Sequence, residues 1–418
     1  MKQKDFDMHR MASVCFLAGC VALAISGCGS LDPRQEAAPS AAVARERSLQ
    51  APAAENEFAG KNRFGIATGT ILYNLLVARN HNTARFDSMM DDFKSLGVVW
   101  IRTLASWRDM ERSEGSYDFS NLDYLVQAAR SRGMKLILEP NAPPAWAAYK
   151  PESDRLLPPD RGVPPFDVAA YARFTGRLAA HLRHSDAQGT VAAIELGNEP
   201  NHVKAWNPPS AAKYTKGLLI PCYSAIKTAN SNMVVLIGGI GGIKDANGDY
   251  DPYRFVKELY DNGAHGYFDG ISYHPYSYPV LASESAAGSG IRKKKELEVG
   301  TAWQRMIAVY TDLMVPHGDG EKKIWITEYG MPTNGPRIKN AQQEEARQAE
   351  MVRDVYALLN ANPRRYPWIA GIGPLCWFSY LDKGNDPTNR KDFMGMVRSD
   401  GTHKPACDAY RLMSSTSW

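Results

Sequence analysis

The chain has 418 residues, 44% hydrophobic and 22% charged, the proportions of an ordinary globular protein. Its 49 basic and 45 acidic side chains leave a net charge of +4, too nearly balanced to mark a nucleic-acid binder. Nine Trp and 20 Tyr supply aromatic surface that suits either sugar stacking or a large core.

The first residues read as a targeting segment. Lys2, Lys4 and Arg10 precede an apolar stretch, Met11 to Ile25, that is too short for a comfortable membrane span. It ends in Ile25-Ser26-Gly27-Cys28, which resembles the bacterial lipoprotein cleavage motif. Residues 1–27 are therefore expected to be a signal peptide and Cys28 the lipid-bearing first mature residue. Leu17-Ala18-Gly19-Cys20 fits the same pattern with less apolar chain ahead of it, and an ordinary signal peptide or an uncleaved anchor are the other readings. Residues 28–58, rich in Ala, Pro, Gln and Glu, read as a flexible tether. The expected address is the bacterial cell envelope, periplasm or outer membrane, with the lipid as the only membrane contact. Beyond the tether, Cys222, Cys376 and Cys407 fit neither a zinc site nor a redox Cys-x-x-Cys, and three cysteines permit at most one disulfide.

From Phe64 onward, short apolar runs alternate with helical patterns, the signature of βα units. The expected strands are Phe64–Ala67, Val98–Leu104, Lys135–Glu139, Val191–Leu196, Met233–Ile237, Gly270–Tyr273, Lys323–Thr327 and Gly373–Ser379. Between them, Phe86, Met89, Met90, Phe93 and Leu96 form one helical stripe, closed by Gly97 as a C-terminal cap. Tyr171, Phe174, Leu178 and Leu182 form another behind Asp167, and Asp251-Pro252 opens a third. Eight units predict one (β/α)8 barrel with long βα loops over residues 59–418, with no repeat or second domain. The rival, an open doubly wound sheet, lacks its Gly-x-Gly-x-x-Gly after the first strand; Gly238–Gly242 follows the fifth and reads as a tight loop. The Pro-rich stretch from Pro140 to Pro165 is expected to wall a cleft, and Arg292-Lys293-Lys294-Lys295 to be a solvated face.

Chemistry gathers at the strand ends. Val191 to Leu196 runs into Gly197-Asn198-Glu199-Pro200, which sets Glu199 at the rim where barrels carry their active sites. Lys323 to Thr327 delivers Glu328 in the same way from the seventh strand. Only a closed barrel brings these two ends across one opening. A carboxyl pair is what glycoside hydrolysis requires. Glu139, in Glu139-Pro140-Asn141, offers a third rim carboxylate that binds substrate or displaces one of the pair. With no His-Glu-x-x-His, no Asp/His ligand cluster and no P-loop, neither metal nor organic cofactor is expected.

With these residues in place the sequence resembles the clan A glycoside hydrolases, and Gly197–Asn201 and Ile326–Tyr329 are most similar to glycoside hydrolase family 39. The resemblance extends from Trp107 and Gly115-Ser116-Tyr117-Asp118-Phe119 to Gly401-Thr402-His403-Lys404-Pro405-Ala406. It implies Glu199 as general acid/base, its pKa raised by burial and by the charge of Glu328, and Glu328 as nucleophile. Arg102 would orient Glu328, or else pair with Glu195 inside the barrel. Tyr276 would donate to Glu328, Asn198 would hold the sugar 2-hydroxyl, and His274 would touch the sugar or serve structure. Trp377 would stack beneath the sugar, before a cis peptide at Trp377-Phe378, although a bare Trp on a strand fits a core equally. Trp107 and Trp146 complete the expected binding residues. Family 39 xylosidases usually carry a further β-domain that does not follow the eighth strand here, so their exo specificity is not carried over. The function implied is retaining, endo-acting hydrolysis of a β-linked extracellular glycan by a monomer, with the carboxyl groups about 5–5.5 Å apart. A non-catalytic carbohydrate-binding lipoprotein, and an exo-glycosidase or transglycosylase, are the alternatives.

Overall fold

The computed structural model describes residues 57–77, 83–148, 167–183, 187–242, 248–288, 300–333, 341–384, 386 and 388–418. The expected signal peptide with Cys20 and Cys28, nearly all of the tether, the basic run at 292–295 and most of the Pro-rich stretch lie outside these residues.

Eight parallel strands close into a barrel in sequence order: β1 (Phe64–Gly69), β2 (Trp100–Ser106), β3 (Lys135–Asn141), β4 (Val191–Asn198), β5 (Val234–Gly241), β6 (Gly270–His274), β7 (Lys323–Tyr329) and β8 (Ile372–Phe378). Closure is by β1 on β8, with Phe64 opposite Leu375 and Ala67 opposite Phe378. All eight expected strands are present. The second begins at Trp100 instead of Val98, because Val98 closes the preceding helix. The glycines at 238–241, expected as a loop, are the end of β5.

The principal helices that follow the strands in turn are α1 (Thr83–Ser95), α2 (Ser120–Ser131), α3 (Val168–His181), α4 (Ile220–Ala229), α5 (Pro252–Asp261), α6 (Ala302–Ala308), α7 (Ala341–Leu359) and α8 (Pro405–Ser415). Their ends follow local chemistry. Gly97, at φ +76°, ends α1: its N–H bonds to Lys94 O, and the Val98 N–H bonds to Phe93 O, which the left-handed turn alone permits. Asp167 caps α3 by accepting from the N–H groups of Ala169 and Ala170, and Asp251 caps α5 through Arg254 N. The apolar stripes of α1 and α3 are buried against the outside of the sheet.

Side chains alternate along each strand, so the sheet has two apolar layers. The larger lies between strands and helices. The smaller fills the barrel: Ala67, Trp100, Ile137, Ala193, Leu236, Trp325 and Cys376 from seven strands, plus Phe58. Phe58 packs against Trp100 and Trp325 with ring centroids 5.7 and 5.3 Å away. The residue expected to end the tether thus plugs the barrel. Cys222, Cys376 and Cys407 are all buried and free.

Candidate active site

Two residues beyond the apolar filling, the interior turns polar. Arg102 follows Trp100 on β2, Glu139 follows Ile137 on β3, Glu195 follows Ala193 on β4, and Thr327 follows Trp325 on β7. The Arg102 guanidinium serves all three strands around it. Its Nε donates to Glu195 Oε2 at 2.5 Å, Nη1 to Glu328 Oε1 at 2.7 Å, and Nη2 to Asn198 Oδ1 at 2.8 Å, with Glu139 Oε2 3.6 Å from Nη2. One fork therefore contacts both residues that the two readings of Arg102 named, Glu328 and Glu195. Burial works against its charge, but Glu195, Glu139 and Glu328 outweigh it and hold the guanidinium above its usual range. Burial likewise pushes the Glu139 carboxyl up, more than Arg102 pulls it down. Asn141 Nδ2 donates to Glu139 at 2.8 Å.

Exposure separates these carboxylates. The side chains of Glu199 and Glu328 keep 25% and 14% of their surface open, whereas Glu139 keeps 9% and Glu195 none. Only the first two offer a solute much surface. Glu328 is held by Arg102 and by the Tyr276 hydroxyl, which donates to Oε2 at 2.9 Å. Glu199 sits just past β4 at φ +48°, a backbone region that costs a non-glycine residue about 1–3 kcal/mol. Its N–H bonds to Gly239 O at 2.7 Å, and the next loop is tied down by Asn201, which exchanges hydrogen bonds with the backbone of Gly241.

His274 lies wholly buried between the two glutamates. Its Nδ1 is 3.1 Å from Glu199 Oε1 and 3.9 Å from Glu328 Oε2, and its Nε2 is 3.1 Å from Thr327 Oγ1. It therefore contacts carboxylates, not substrate, which corrects its placement among the sugar-binding residues. The glycines of β5 make room for this arrangement. A Cβ on Gly239 would stand 2.2 Å from His274 Nε2, and one on Gly241 would stand 3.2 Å from Glu199 Oε1. The expectation that Glu199 is raised also needs correction. Burial does push its carboxyl up, but the His274 hydrogen bond and the charges of His274, His202 and Arg102 together bring it below its usual value. Conversely, His274 resists burial through Glu328 and Glu199 and is raised.

The tryptophans are corrected too. Trp377 is fully buried and packs edge-to-face on Tyr329 at 5.9 Å, in the layer between strands and helices. Its neighbours Cys376 and Phe378 share the opposite face of β8, toward the barrel interior. The half-buried aromatic ending β8 is Phe378, and the cis peptide is Phe378-Ser379, one residue later than expected. Trp107 is also fully buried, stacked on Phe174 at 5.2 Å, with its Nε1 donating to Glu111. Trp146 stays half-buried; it packs edge-to-face on Trp107 and donates to Glu111 O at 3.1 Å. Inspection of the sequence missed Phe378, Thr327 and the glycines of β5. Strand parity from Cys376 would have pointed to Phe378.

No group of His, Cys, Asp and Glu side chains that could hold a metal ion occurs among the described residues. The family model described as Cellulase (glycosyl hydrolase family 5) matches residues 56–364, a span that contains both Glu199 and Glu328. No curated protein matches the chain. Among solved structures it is similar to a family 39 glycoside hydrolase from Bacteroides cellulosilyticus WH2, with TM-score 0.59 and 20% identity over 85% of this chain and 64% of that one. It is also similar to a family 39 β-xylosidase from Caulobacter crescentus, with TM-score 0.58 and 15% identity over 86% and 73% of the two chains. A GH5_18 protein from Bifidobacterium longum subsp. infantis aligns with TM-score 0.55 and 17% identity over 84% and 78%. The chain spans just under two thirds of the length of the Bacteroides enzyme. At such identities the likeness shows the barrel fold alone. The family model reaches further: the chain belongs to glycosyl hydrolase family 5, the cellulase family, and so to the retaining clan A glycoside hydrolases, with a barrel shared by family 39.

Proposed function

We propose that the chain hydrolyses a β-linked glycan with retention, Glu328 acting as nucleophile and Glu199 as general acid/base. The observation that carries the assignment is the asymmetry of their partners. Glu328 accepts from Arg102 and Tyr276, two donors that hold both of its oxygens in place for attack. Among the described residues, the Glu199 carboxyl hydrogen-bonds instead to the titratable His274, with which it can exchange a proton. Glu199 Oε1 and Glu328 Oε2 lie 3.1 and 3.9 Å from one imidazole nitrogen, so the two carboxyl groups face one opening; retention itself rests on the family.

In the first step Glu328 attacks the anomeric carbon while Glu199 gives its proton to the departing glycosidic oxygen. In the second, Glu199 takes a proton from water, and the resulting hydroxide displaces Glu328 from the sugar. Asn198, fixed at Oδ1 by Arg102, would hold the sugar 2-hydroxyl through its amide N–H groups, which no other described residue engages, and Phe378 is the stacking platform. Trp146 and Glu139 border the same rim. The β-linkage rests on the β-xylosidase among the structural relatives and on the family model. Endo action on an extracellular polysaccharide, by a monomer tethered to the cell envelope through a lipid on Cys28, completes the reading.

Turnover of aryl β-glycosides and β-linked polysaccharides tests it. Glu328→Gln is expected to lose about 10⁴–10⁶-fold in kcat. Wild-type turnover by that variant would remove Glu328 from the mechanism. Glycan binding without turnover by the parent chain would favour the lipoprotein reading, and mono- or disaccharides as sole products would favour exo action. Unchanged acyl labelling of Cys28→Ala would refute the lipid anchor.

A further inference from the structure

The hydrogen bonds beneath Glu199 determine which proton His274 carries. Thr327 is fully buried, and its hydroxyl has one hydrogen, given to Glu195 Oε1 at 3.0 Å. The Glu195 carboxylate, already paired with Arg102 Nε, can only accept there. Thr327 Oγ1 must then accept from its other neighbour, so His274 Nε2, 3.1 Å away, carries a hydrogen. A neutral His274 is left with a bare Nδ1 that faces Glu199 Oε1 at 3.1 Å. The Nδ1···Oε1 contact can hold one proton, belonging to the imidazole or to the carboxyl group. The imidazole lies directly over Gly239, where a Cβ would stand 2.2 Å from Nε2, so the contact with Thr327 depends on a residue without a side chain at that position.

We propose that Thr327 and Glu195 are positioning residues that fix the tautomer of His274, so that Glu199 and His274 share one proton for delivery to the leaving group. This rests on the assignment of Glu199 as acid/base. When Glu199 gives up that proton to the glycosidic oxygen, it becomes a carboxylate facing a nitrogen lone pair. Nothing in His274 then stabilises the anion, which makes Glu199 a competent base toward water in the second step. The opposite tautomer would donate to the carboxylate and weaken it as a base. Among the described residues, the other charged groups that act on the imidazole are Glu328 on β7 and Arg102 on β2, with Tyr276 past β6 on Glu328 and His202 past β4 acting on Glu199, while the hydrogen-bond partner of Nε2 is Thr327.

The test uses the full chain with ¹⁵N-labelled histidine, in which His274→Gln identifies the His274 signals among the nine histidines. In the wild type, neutral His274 is expected to be protonated at Nε2. In Thr327→Val, a near-isosteric change without the acceptor, the proton should move to Nδ1, and Thr327→Ser should restore Nε2. With 4-nitrophenyl β-cellobioside as probe, the basic limb of kcat/KM should move down by about one pH unit in Thr327→Val, the scale of one added hydrogen bond to a charged group, and return in Thr327→Ser. An Nδ1 tautomer in the wild type, or an unmoved proton in Thr327→Val, would overturn the proposal without touching the assignment of Glu199. So would a flipped tautomer with an unmoved basic limb. Full activity in Glu199→Gln would instead remove the reading on which it rests.

Discussion

Within the barrel, two layers built from the same strands obey opposite rules. The lower layer, with Trp100, Ile137, Ala193 and Trp325, is apolar and plugged by Phe58. One inward position higher on the same strands stand Arg102, Glu139, Glu195 and Thr327. The lower layer gains stability from excluding water. The upper layer buries charge, which costs stability unless every partner is present. A single cation there serves three buried or half-buried carboxylates, so the layer is organised for chemistry at the expense of tolerance. The difference explains why the site sits where it does: a dry floor below keeps the dielectric low around groups whose protonation must be controlled.

Substitutions in the two layers should therefore fail differently. Arg102→Ala leaves Glu195, Glu139 and Glu328 without their common cation and should cost about 3–5 kcal/mol of stability together with loss of turnover. Trp325→Ala in the floor should cost a similar amount, about 3–5 kcal/mol, through cavity formation alone. Urea unfolding paired with pH–rate profiles distinguishes them: the floor variant should keep the wild-type profile at temperatures where it is folded. A shifted profile in Trp325→Ala would blur the boundary between the layers.

The end of β8 sharpens the comparison at smaller scale. Phe378→Ala should raise KM about tenfold with little change in melting temperature, whereas Trp377→Ala should lower the melting temperature and leave KM nearly unchanged. The reverse pattern would restore Trp377 as the sugar platform.

The smallest effect is the pH dependence of stability. His274 is held above its usual 6.5, so its contribution is full below pH 6.5 and is lost as pH rises through the raised value. Glu199 is held below its usual 4.5, so its contribution is full above pH 4.5 and is lost as pH falls through the lowered value. These are two sides of one ion pair and count once. Melting temperature should peak between pH 4.5 and 6.5, and His274→Gln should flatten both flanks. Parallel curves for the two proteins would show that the pair contributes nothing.

The sequence announced the barrel because its strands are short apolar runs stopped by Gly, Pro or a rim carboxylate, with caps such as Gly97 and Asp167 between them. Glu199 and Glu328 stood out for the same reason, each lying at a strand end, whereas Arg102, the third residue of β2, and Tyr276, two residues past β6, stood out through the family resemblance. Trp377 was misplaced because a strand buried on both faces shows no alternation, so nothing local says which way an aromatic points, and Trp107 because it opens the helical turn Trp107–Met110 after β2, where the sequence does not show that its ring is buried. The direction of the Glu199 shift was hidden for another reason. It depends on His274, far off in the chain, which reaches Glu199 only because Gly239 and Gly241 have no side chains.

The central claim is that Glu328 forms the covalent bond to the sugar. Incubating the full chain with activated 2-deoxy-2-fluoro β-glycosides of glucose, xylose and mannose, followed by peptide mass spectrometry, tests it directly. A glycosyl adduct on the peptide that contains Glu328, absent in Glu328→Gln, is the expected result. An adduct on Glu139 or Glu199, or turnover with inverted product and no adduct, would contradict it.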